Sequence, residues 1–110
     1  MDIQETQQNG FVTLGPVGDL DANSSVELDE VIQTMVEEGK VKIHIDGENL
    51  KYISSAGCGV FISYLDEINS QGGKLVFSDL SDNVLDVFEL LGLNQIVTIV
   101  KTRDEVPSLF

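Results

Sequence analysis

The hydrophobic and polar positions of this chain switch between the period of a strand and the period of a helix. At the start, residues 3–8 and residues 11–17 are predicted to be two strands that flank Asn9-Gly10. Both residues of that dipeptide tolerate positive φ angles, as the central positions of a type I′ turn require. The opening of the chain is therefore predicted to be a β-hairpin.

Three further strands are predicted downstream of the hairpin. In the first of them apolar and polar residues alternate, and the other two are short and largely apolar. Residues 47–52, which follow the first of these strands, are predicted to be a loop. The three strands are centred on residues 41–45, 75–77 and 96–100.

Apolar residues recur at helical spacing in three stretches that separate these strands. Gly39 is placed to end the first helix in a left-handed conformation, and Gly72-Gly73 stop the second. The third helix begins after a capping Ser81 and closes near Gly92. The apolar positions are Leu28, Val31, Ile32, Met35 and Val36 in the first helix, Cys58, Phe61, Ile62, Leu65 and Ile68 in the second, and Val84, Val87, Phe88 and Leu91 in the third.

The order of these elements is β-β-α-β-α-β-α-β, and the capping-box spacing of Thr102 and Glu105 suggests a short terminal helix. Strands that alternate with helices pair in parallel through crossover connections. We therefore predict a single α/β domain over residues 1–110. It has a mixed, mostly parallel five-stranded sheet, an N-terminal β-hairpin and three to four helices.

The charge of the chain is strongly negative, with 19 Asp and Glu against 6 Lys and Arg and a formal net charge of −13. This charge opposes binding to nucleic acid and direct binding to anionic membranes. It favours a partner with a basic or mixed face, and solubility alone would account for it equally well. No stretch approaches the roughly 18 consecutive apolar residues of a membrane span. The N-terminus lacks the features of a signal peptide, so a cytoplasmic protein is expected.

The sequence lacks the motifs of common catalytic sites. GxSxG does not occur, and no lysine stands in the position that a P-loop requires. The single histidine, His44, lies in a predicted strand, and the single cysteine, Cys58, falls on the apolar stripe of a helix. We therefore expect no catalytic residue, no metal site and no cofactor, and we do not expect an enzyme.

The stretch KYISSAGCGVF, residues 51–61, offers a different kind of site. Ser54 and Ser55 precede a helix that starts around Ala56 or Gly57, so either hydroxyl can cap the free N–H groups of the first turn. A helix N-terminus also stabilises negative charge, so a phosphate on one of these serines would fit there. The residues alone leave both interpretations open, a helix cap and a phosphorylatable switch.

Three segments of the chain together resemble one known family. They are GDLDANSSVELDEVI (residues 18–32), IDGENLKYISSAGCGVFISYLDEINSQGGKLVFSDL (residues 45–80) and NVLDVFELLGLNQIVTI (residues 83–99). The first resembles the segment that opens the first helix of the STAS domain. The second resembles its central strand, phosphorylation loop, second helix and following strand, and the third resembles its last helix and strand. The likeness is specifically to the stand-alone bacterial anti-sigma-factor antagonists, and it implies the fold predicted above.

The resemblance also implies functional residues. The family's phospho-acceptor is the serine two positions before the first glycine of its G-x-G motif, and in this chain that serine is Ser55, before residues 57–59. Ser54 stands where the family often has aspartate, and it is the alternative acceptor or a cap. Asp21 stands where the family has an acid near the phosphorylation loop; the other interpretation is a helix-initiating acid. The implied partner-binding residues are Asp21, Ser54, Ser55, Ala56, Gly57 and Gly59.

A partner-switching function follows from the resemblance. The unphosphorylated chain would bind a serine-kinase anti-sigma factor and release the sigma factor. Phosphorylation of Ser55 would switch that binding off, and a metal-dependent Ser/Thr phosphatase would reset it. Two alternatives stay open. One is a STAS regulatory or scaffold subunit of a transporter or lipid-transport complex, and the other is a weak nucleotide-binding module.

Overall fold

The computed structural model describes residues 1–110 and contains six strands, three α-helices and three short 3₁₀ turns. The capping box predicted for Thr102 and Glu105 is present, and it opens a 3₁₀ turn rather than an α-helix. The strands are β1 (Asp2–Gln7), β2 (Val12–Leu20), β3 (Lys42–Asp46), β4 (Leu50–Ile53), β5 (Lys74–Ser78) and β6 (Thr98–Ile99). The helices are α1 (Ser25–Glu37), α2 (Ser55–Ser70) and α3 (Asp82–Leu91), and the 3₁₀ turns lie at Leu93–Gln95, Arg103–Glu105 and Pro107–Leu109.

The six strands form one mixed sheet. Its strand order is β1-β2-β3-β5-β6, and β4 pairs with the end of β2. Only β1 and β2 pair antiparallel, and every other pair is parallel. These pairings confirm the predicted α/β class, the mostly parallel sheet and the N-terminal hairpin.

The turn of the hairpin differs from the predicted type. Gln7 pairs with Val12, and the N–H of Gln8 donates to the carbonyl of Phe11 at 2.8 Å, so residues 8–11 form the connection. Gly10 has a φ of 90°, whereas Asn9 is not in the positive-φ region. A type I′ turn needs positive φ at both central residues. That prediction is wrong because the longer connection reverses the chain with a single left-handed glycine.

The sheet has one strand more than predicted, because residues 50–52 of the predicted loop belong to β4. β3 and β4 pair with β2 one after the other along its length. Gly47 lies in the connection between β3 and β4, and its N–H donates to the carbonyl of Ser78 at 2.9 Å. A Cβ at this position would lie 2.4 Å from the Leu80 side chain, so the connection requires glycine there. In β4 the two end residues, Leu50 and Ile53, are buried and the middle two are exposed. The two-residue alternation that signals a strand is therefore absent.

The three α-helices cover one face of the sheet and enclose the core, a cluster of 21 buried residues. Phe77 of β5 contacts Phe61 of α2 and Phe88 of α3 edge to face, with ring centroids 4.9 and 5.1 Å apart. Such aromatic pairs contribute about 0.5–1.5 kcal/mol each beyond the area they bury. Ile62, which the apolar pattern assigned to the buried stripe of α2, is 41% exposed. That assignment is wrong because the stripe is wider than the face that α2 buries.

The opposite face of the sheet carries polar side chains. Thr13 and His44 are register partners on β2 and β3, and neither belongs to the core cluster. Residues 103–110 lie against this face, where the ring of Phe110 stacks on the ring of Phe11 with centroids 4.8 Å apart. The sheet is therefore covered by helices on one side and by the end of the described chain on the other.

Candidate phosphorylation site and partner-binding surface

The carboxyl ends of β2 and β4 lie side by side at one end of the sheet. Leu20 and Ile53 are parallel register partners, and the chain enters α1 shortly after the first and α2 shortly after the second. The carbonyl of Leu20 accepts two hydrogen bonds from Ser54, one from its N–H at 2.9 Å and one from its hydroxyl at 3.1 Å. This contact holds the start of α2 against the end of β2.

Ser54 is the N-cap of α2. Its backbone is extended, with φ −91° and ψ 170°, and its Oγ accepts a hydrogen bond from the N–H of Gly57 at 3.2 Å. The same hydroxyl donates to the carbonyl of Leu20. Both hydrogen-bonding functions of the Ser54 hydroxyl are therefore used inside the fold, which agrees with the interpretation of Ser54 as a cap.

Ser55 is the first residue of α2 and is exposed. Its hydroxyl makes no hydrogen bond within the chain, in contrast to the hydroxyl of Ser54. The N–H groups of Ser55 and Ala56 lie in the first turn of the helix, which has no preceding helical carbonyls to accept them. A phosphate on Ser55 would therefore meet the positive end of the helix dipole. The phosphorylation assigned to Ser55 stays a prediction.

The two glycines of the G-x-G motif have different surroundings. A Cβ on Gly57 would lie 2.9 Å from Leu20 and 3.0 Å from Ile53, so Gly57 permits α2 to approach the ends of β2 and β4. A Cβ on Gly59 would meet no atom within 4 Å, and Gly59 is exposed, as is Ala56. Gly57 therefore has a packing role inside the domain. Ala56 and Gly59 are small, so the surface beside Ser55 has no bulky side chains at these two positions.

Asp21 stabilises the turn that precedes α1. Its Oδ1 accepts hydrogen bonds from the N–H groups of Asn23 at 3.0 Å and Ser24 at 2.9 Å, and from the hydroxyl of Ser24 at 3.1 Å. The bond from the N–H of Ser24, followed by the bond from its hydroxyl, lowers the pKa of Asp21 below its ordinary value. Asp21 directly follows Leu20, whose carbonyl binds Ser54, so the predicted acid lies beside the start of α2. Its carboxylate is engaged within its own turn.

Two exposed apolar side chains that the sequence did not identify lie on β4 and α2, the elements that meet at Ser54 and Ser55. Tyr52 of β4 is 49% exposed and Ile62 of α2 is 41% exposed. Exposed aromatic and aliphatic side chains are common in the centre of protein–protein interfaces. The sequence carried one sign of the exposed Ile62: the apolar positions of α2 cover a wider part of the helix surface than the residues it buries. Tyr52 had no signal, because its segment was predicted to be a loop.

The end of the sheet that carries Ser55 is also acidic. Asp19 and Asp21 are exposed on either side of Leu20, and Lys51 is the only cation of β4. No three side chains among His, Cys, Asp and Glu are grouped closely enough to hold a metal ion. None of the helices combines the length and the apolar character that crossing a bilayer requires.

The sequence profile of the STAS domain matches residues 2–106 of the chain. The chain belongs to the STAS domain family. An anti-sigma-B factor antagonist of Staphylococcus aureus is 31% identical over 97 residues, which cover 88% of this chain and 90% of that relative. These matches confirm the resemblance to the STAS domain and to the anti-sigma-factor antagonists.

Two solved structures share the STAS fold with this chain. The crystal structure of a protein from Thermotoga maritima superposes with a TM-score of 0.90 at 24% identity and covers 97% of this chain and 92% of its own. The Bacillus cell fate determinant SpoIIAA in its phosphorylated form superposes with a TM-score of 0.76 at 19% identity and covers 99% and 100%. At these identities the likeness describes the fold.

Proposed function

We propose that this chain is an anti-sigma-factor antagonist that is switched by phosphorylation of Ser55. The observation that carries the proposal is the state of Ser55: an exposed hydroxyl without an internal hydrogen bond, at the N-terminus of a helix. The relative from Staphylococcus aureus, an anti-sigma-B factor antagonist, supports the class of function. The phosphorylated form of SpoIIAA, which has the same fold, supports the type of switch.

In the unphosphorylated state, the chain binds an anti-sigma factor that is a serine kinase, and the sigma factor is released. The binding surface is the end of the sheet around Ser55. It includes the small residues Ala56 and Gly59 and the exposed side chains of Tyr52 and Ile62. The acidic side chains at this end favour a partner with a basic face. The chain is a substrate and a binding partner, not a catalyst, and it acts in the cytoplasm.

The kinase transfers the γ-phosphoryl group of ATP to the Oγ of Ser55 and leaves ADP. The phosphate adds about 1.5 to 2 negative charges and three acceptor oxygens at a position that the partner covers. Burial of such a charge without a matching cation costs several kcal/mol, and each 1.4 kcal/mol is about a tenfold loss of affinity. A metal-dependent Ser/Thr phosphatase removes the phosphate by hydrolysis and restores binding.

The assignment of the acceptor is tested by incubating the chain with candidate anti-sigma kinases and ATP, followed by mass mapping of the phosphopeptide. Ser55→Ala is expected to abolish phosphorylation. Ser54→Ala is the matched control, because it removes the neighbouring hydroxyl and is expected to leave Ser55 modified. Phosphate on Ser54 in the wild type, or undiminished phosphorylation of Ser55→Ala, would show that the acceptor is wrongly assigned.

A further inference from the structure

A chain of hydrogen bonds runs across the face of the sheet that the helices do not cover. His44 is 3% exposed, and its Nδ1 lies 3.0 Å from the hydroxyl oxygen of Thr13. Its Nε2 lies 2.7 Å from the Oγ of Ser78, and the Ser78 hydroxyl donates to the carboxylate of Asp79 at 2.8 Å. Because Ser78 gives its only hydroxyl proton to Asp79, it accepts from His44. The imidazole therefore carries a proton on Nε2. In its neutral form Nδ1 has no proton, and the hydroxyl of Thr13 donates to it.

The end of the described chain closes over this histidine. We call residues 103–110 the strap. Arg103 of the strap forms ion pairs with Glu48 and with Asp46, the latter at 3.7 Å between Nη1 and Oδ2. The ring of Phe110 stacks on Phe11, whose ring meets the imidazole of His44 edge on, with centroids 6.2 Å apart. The strap is thus tied to the sheet at both of its ends.

A polar cleft of about 320 Å³ lies between the strap and the strands. His44, Asp46 and Arg103 are among the residues that line it. The charged groups that act on His44 come from three elements: Asp46 from β3, Asp79 from the end of β5 and Arg103 from the strap. Strands β1 and β2 contribute uncharged side chains, such as Gln4 and Thr13, to the same cleft.

Burial is the largest influence on His44, and it lowers the pKa of the imidazole below the ordinary histidine value of 6.5. Arg103 lowers it further, whereas Asp46 and Asp79 oppose the shift. Arg103 belongs to the strap, and the strap closes the cleft that His44 lines. If the strap leaves the sheet, water reaches His44 and the guanidinium moves away, while the two carboxylates remain.

We propose that the strap is a pH-sensitive cover, seated on the sheet while His44 is neutral and released when His44 is protonated. The sign follows from linkage: the open form binds a proton on His44 more tightly than the closed form, so a fall in pH below about 6.5 favours the open form. Protonation also turns Nδ1 into a donor, so the hydroxyl proton of Thr13 must turn away and its oxygen accepts the new N–H. Release would uncover the polar cleft and the ring of Phe11.

The first test measures amide hydrogen exchange of the strap in the full chain at pH 7.5 and pH 5.5, expressed as protection relative to the amides of β3. Relative protection of the wild-type strap is expected to fall about threefold or more at the lower pH. In His44→Gln, which has no proton to gain, it is expected to stay the same at both pH values. Relative protection that does not change with pH in the wild type would overturn the proposal.

The second test does not require a substitution of His44. It is the only histidine of the chain, so its ring proton signals can be followed by NMR without ambiguity. Arg103→Gln is expected to raise the pKa of His44 toward the ordinary value. Lys101→Gln removes the same charge from an exposed side chain that forms no ion pair and is expected to leave the titration unchanged. Equal titration curves for wild type and Arg103→Gln would also overturn the proposal.

Discussion

At the scale of single residues, two adjacent serines have different roles: Ser54 stabilises the fold and Ser55 is exposed at the surface. Ser54 uses its hydroxyl for the Leu20 carbonyl and for the first turn of α2, so its exchange affects the fold. Ser55 makes no such contact, so its exchange affects only what approaches from outside. The same division applies to Gly57, which packs inside, and Gly59, which faces open space.

Removal of the two hydroxyls is expected to have unequal effects on stability. Ser54→Ala removes the N-cap and leaves the N–H of Gly57 without its acceptor, so it is expected to cost about 0.5–2 kcal/mol of unfolding free energy. Ser55→Ala is expected to change it by less than about 0.5 kcal/mol. Urea denaturation of both variants measures the difference. Equal effects would contradict the separate roles of the two serines.

The two glycines offer a similar comparison. Gly57→Ala and Gly59→Ala gain the same helix propensity, about 1 kcal/mol. Only Gly57→Ala forces a methyl group against Leu20 and Ile53, which costs about 1–3 kcal/mol. The difference between the two variants in denaturation experiments therefore isolates the steric cost, and Gly57→Ala is expected to be the less stable by that amount. If Gly57→Ala were as stable as Gly59→Ala, the close approach of α2 would not depend on glycine.

At the scale of elements, the sequence predicts the helices and strands that show a regular spacing of apolar residues. It does not predict the elements that depend on contacts with distant parts of the chain. The helices and most strands follow from apolar spacing. β4 does not, because it is held by β2 and shows no alternation of buried and exposed residues. The roles of Ser54 and Ser55 could not be separated from the sequence either, since the contact that distinguishes them comes from Leu20, a residue 34 positions away.

A hydrogen bond joins helices α1 and α2, and it is expected to make the free energy of unfolding fall at alkaline pH. Tyr64 of α2 donates its hydroxyl proton to the carboxylate of Asp29 in α1 at 3.0 Å. Burial, followed by this hydrogen bond, raises the pKa of Tyr64 from 10.0 to about 12. A raised pKa favours the protonated form in the folded chain. The stabilisation is therefore complete below pH 10 and is lost as the pH rises from 10 to 12.

Urea denaturation at pH 9 and pH 11.5 tests this effect. The wild type is expected to lose more unfolding free energy between the two pH values than Tyr64→Phe does. Tyr52→Phe, which removes the exposed tyrosine, is the matched control and is expected to lose as much as the wild type. Cys58, whose pKa burial raises to about 11, contributes equally to all three proteins. A Tyr64→Phe variant that loses as much as the wild type would mean that the bond to Asp29 is not the source.

At the scale of the whole molecule, the charge of −13 and the acidic end around Ser55 are expected to attract a partner that has a basic face. If the anti-sigma factor presents a basic face, its association rate falls as salt is added, because the attraction is screened beyond about 10 Å at 0.1 M salt.

The contribution of the acidic end to association can be measured by stopped flow. Asp19→Asn is expected to slow association several-fold at low salt, with less effect at high salt. Asp104→Asn makes the same charge change on the strap, outside the proposed binding surface, and is expected to have little effect. Equal slowing by both substitutions would point to net charge rather than to the end of the sheet around Ser55.

The most direct test of the proposed function is the affinity of the anti-sigma kinase for a chain that carries phosphoserine at position 55. Because the added charge lies at the start of α2, inside the proposed binding surface, binding is expected to be at least about 100-fold weaker than for the unmodified chain. Phosphoserine at Ser108, exposed on the strap, supplies the same charge outside the proposed binding surface and is expected to preserve binding. Equal affinity for the unmodified chain and the chain phosphorylated at Ser55 would contradict the switch.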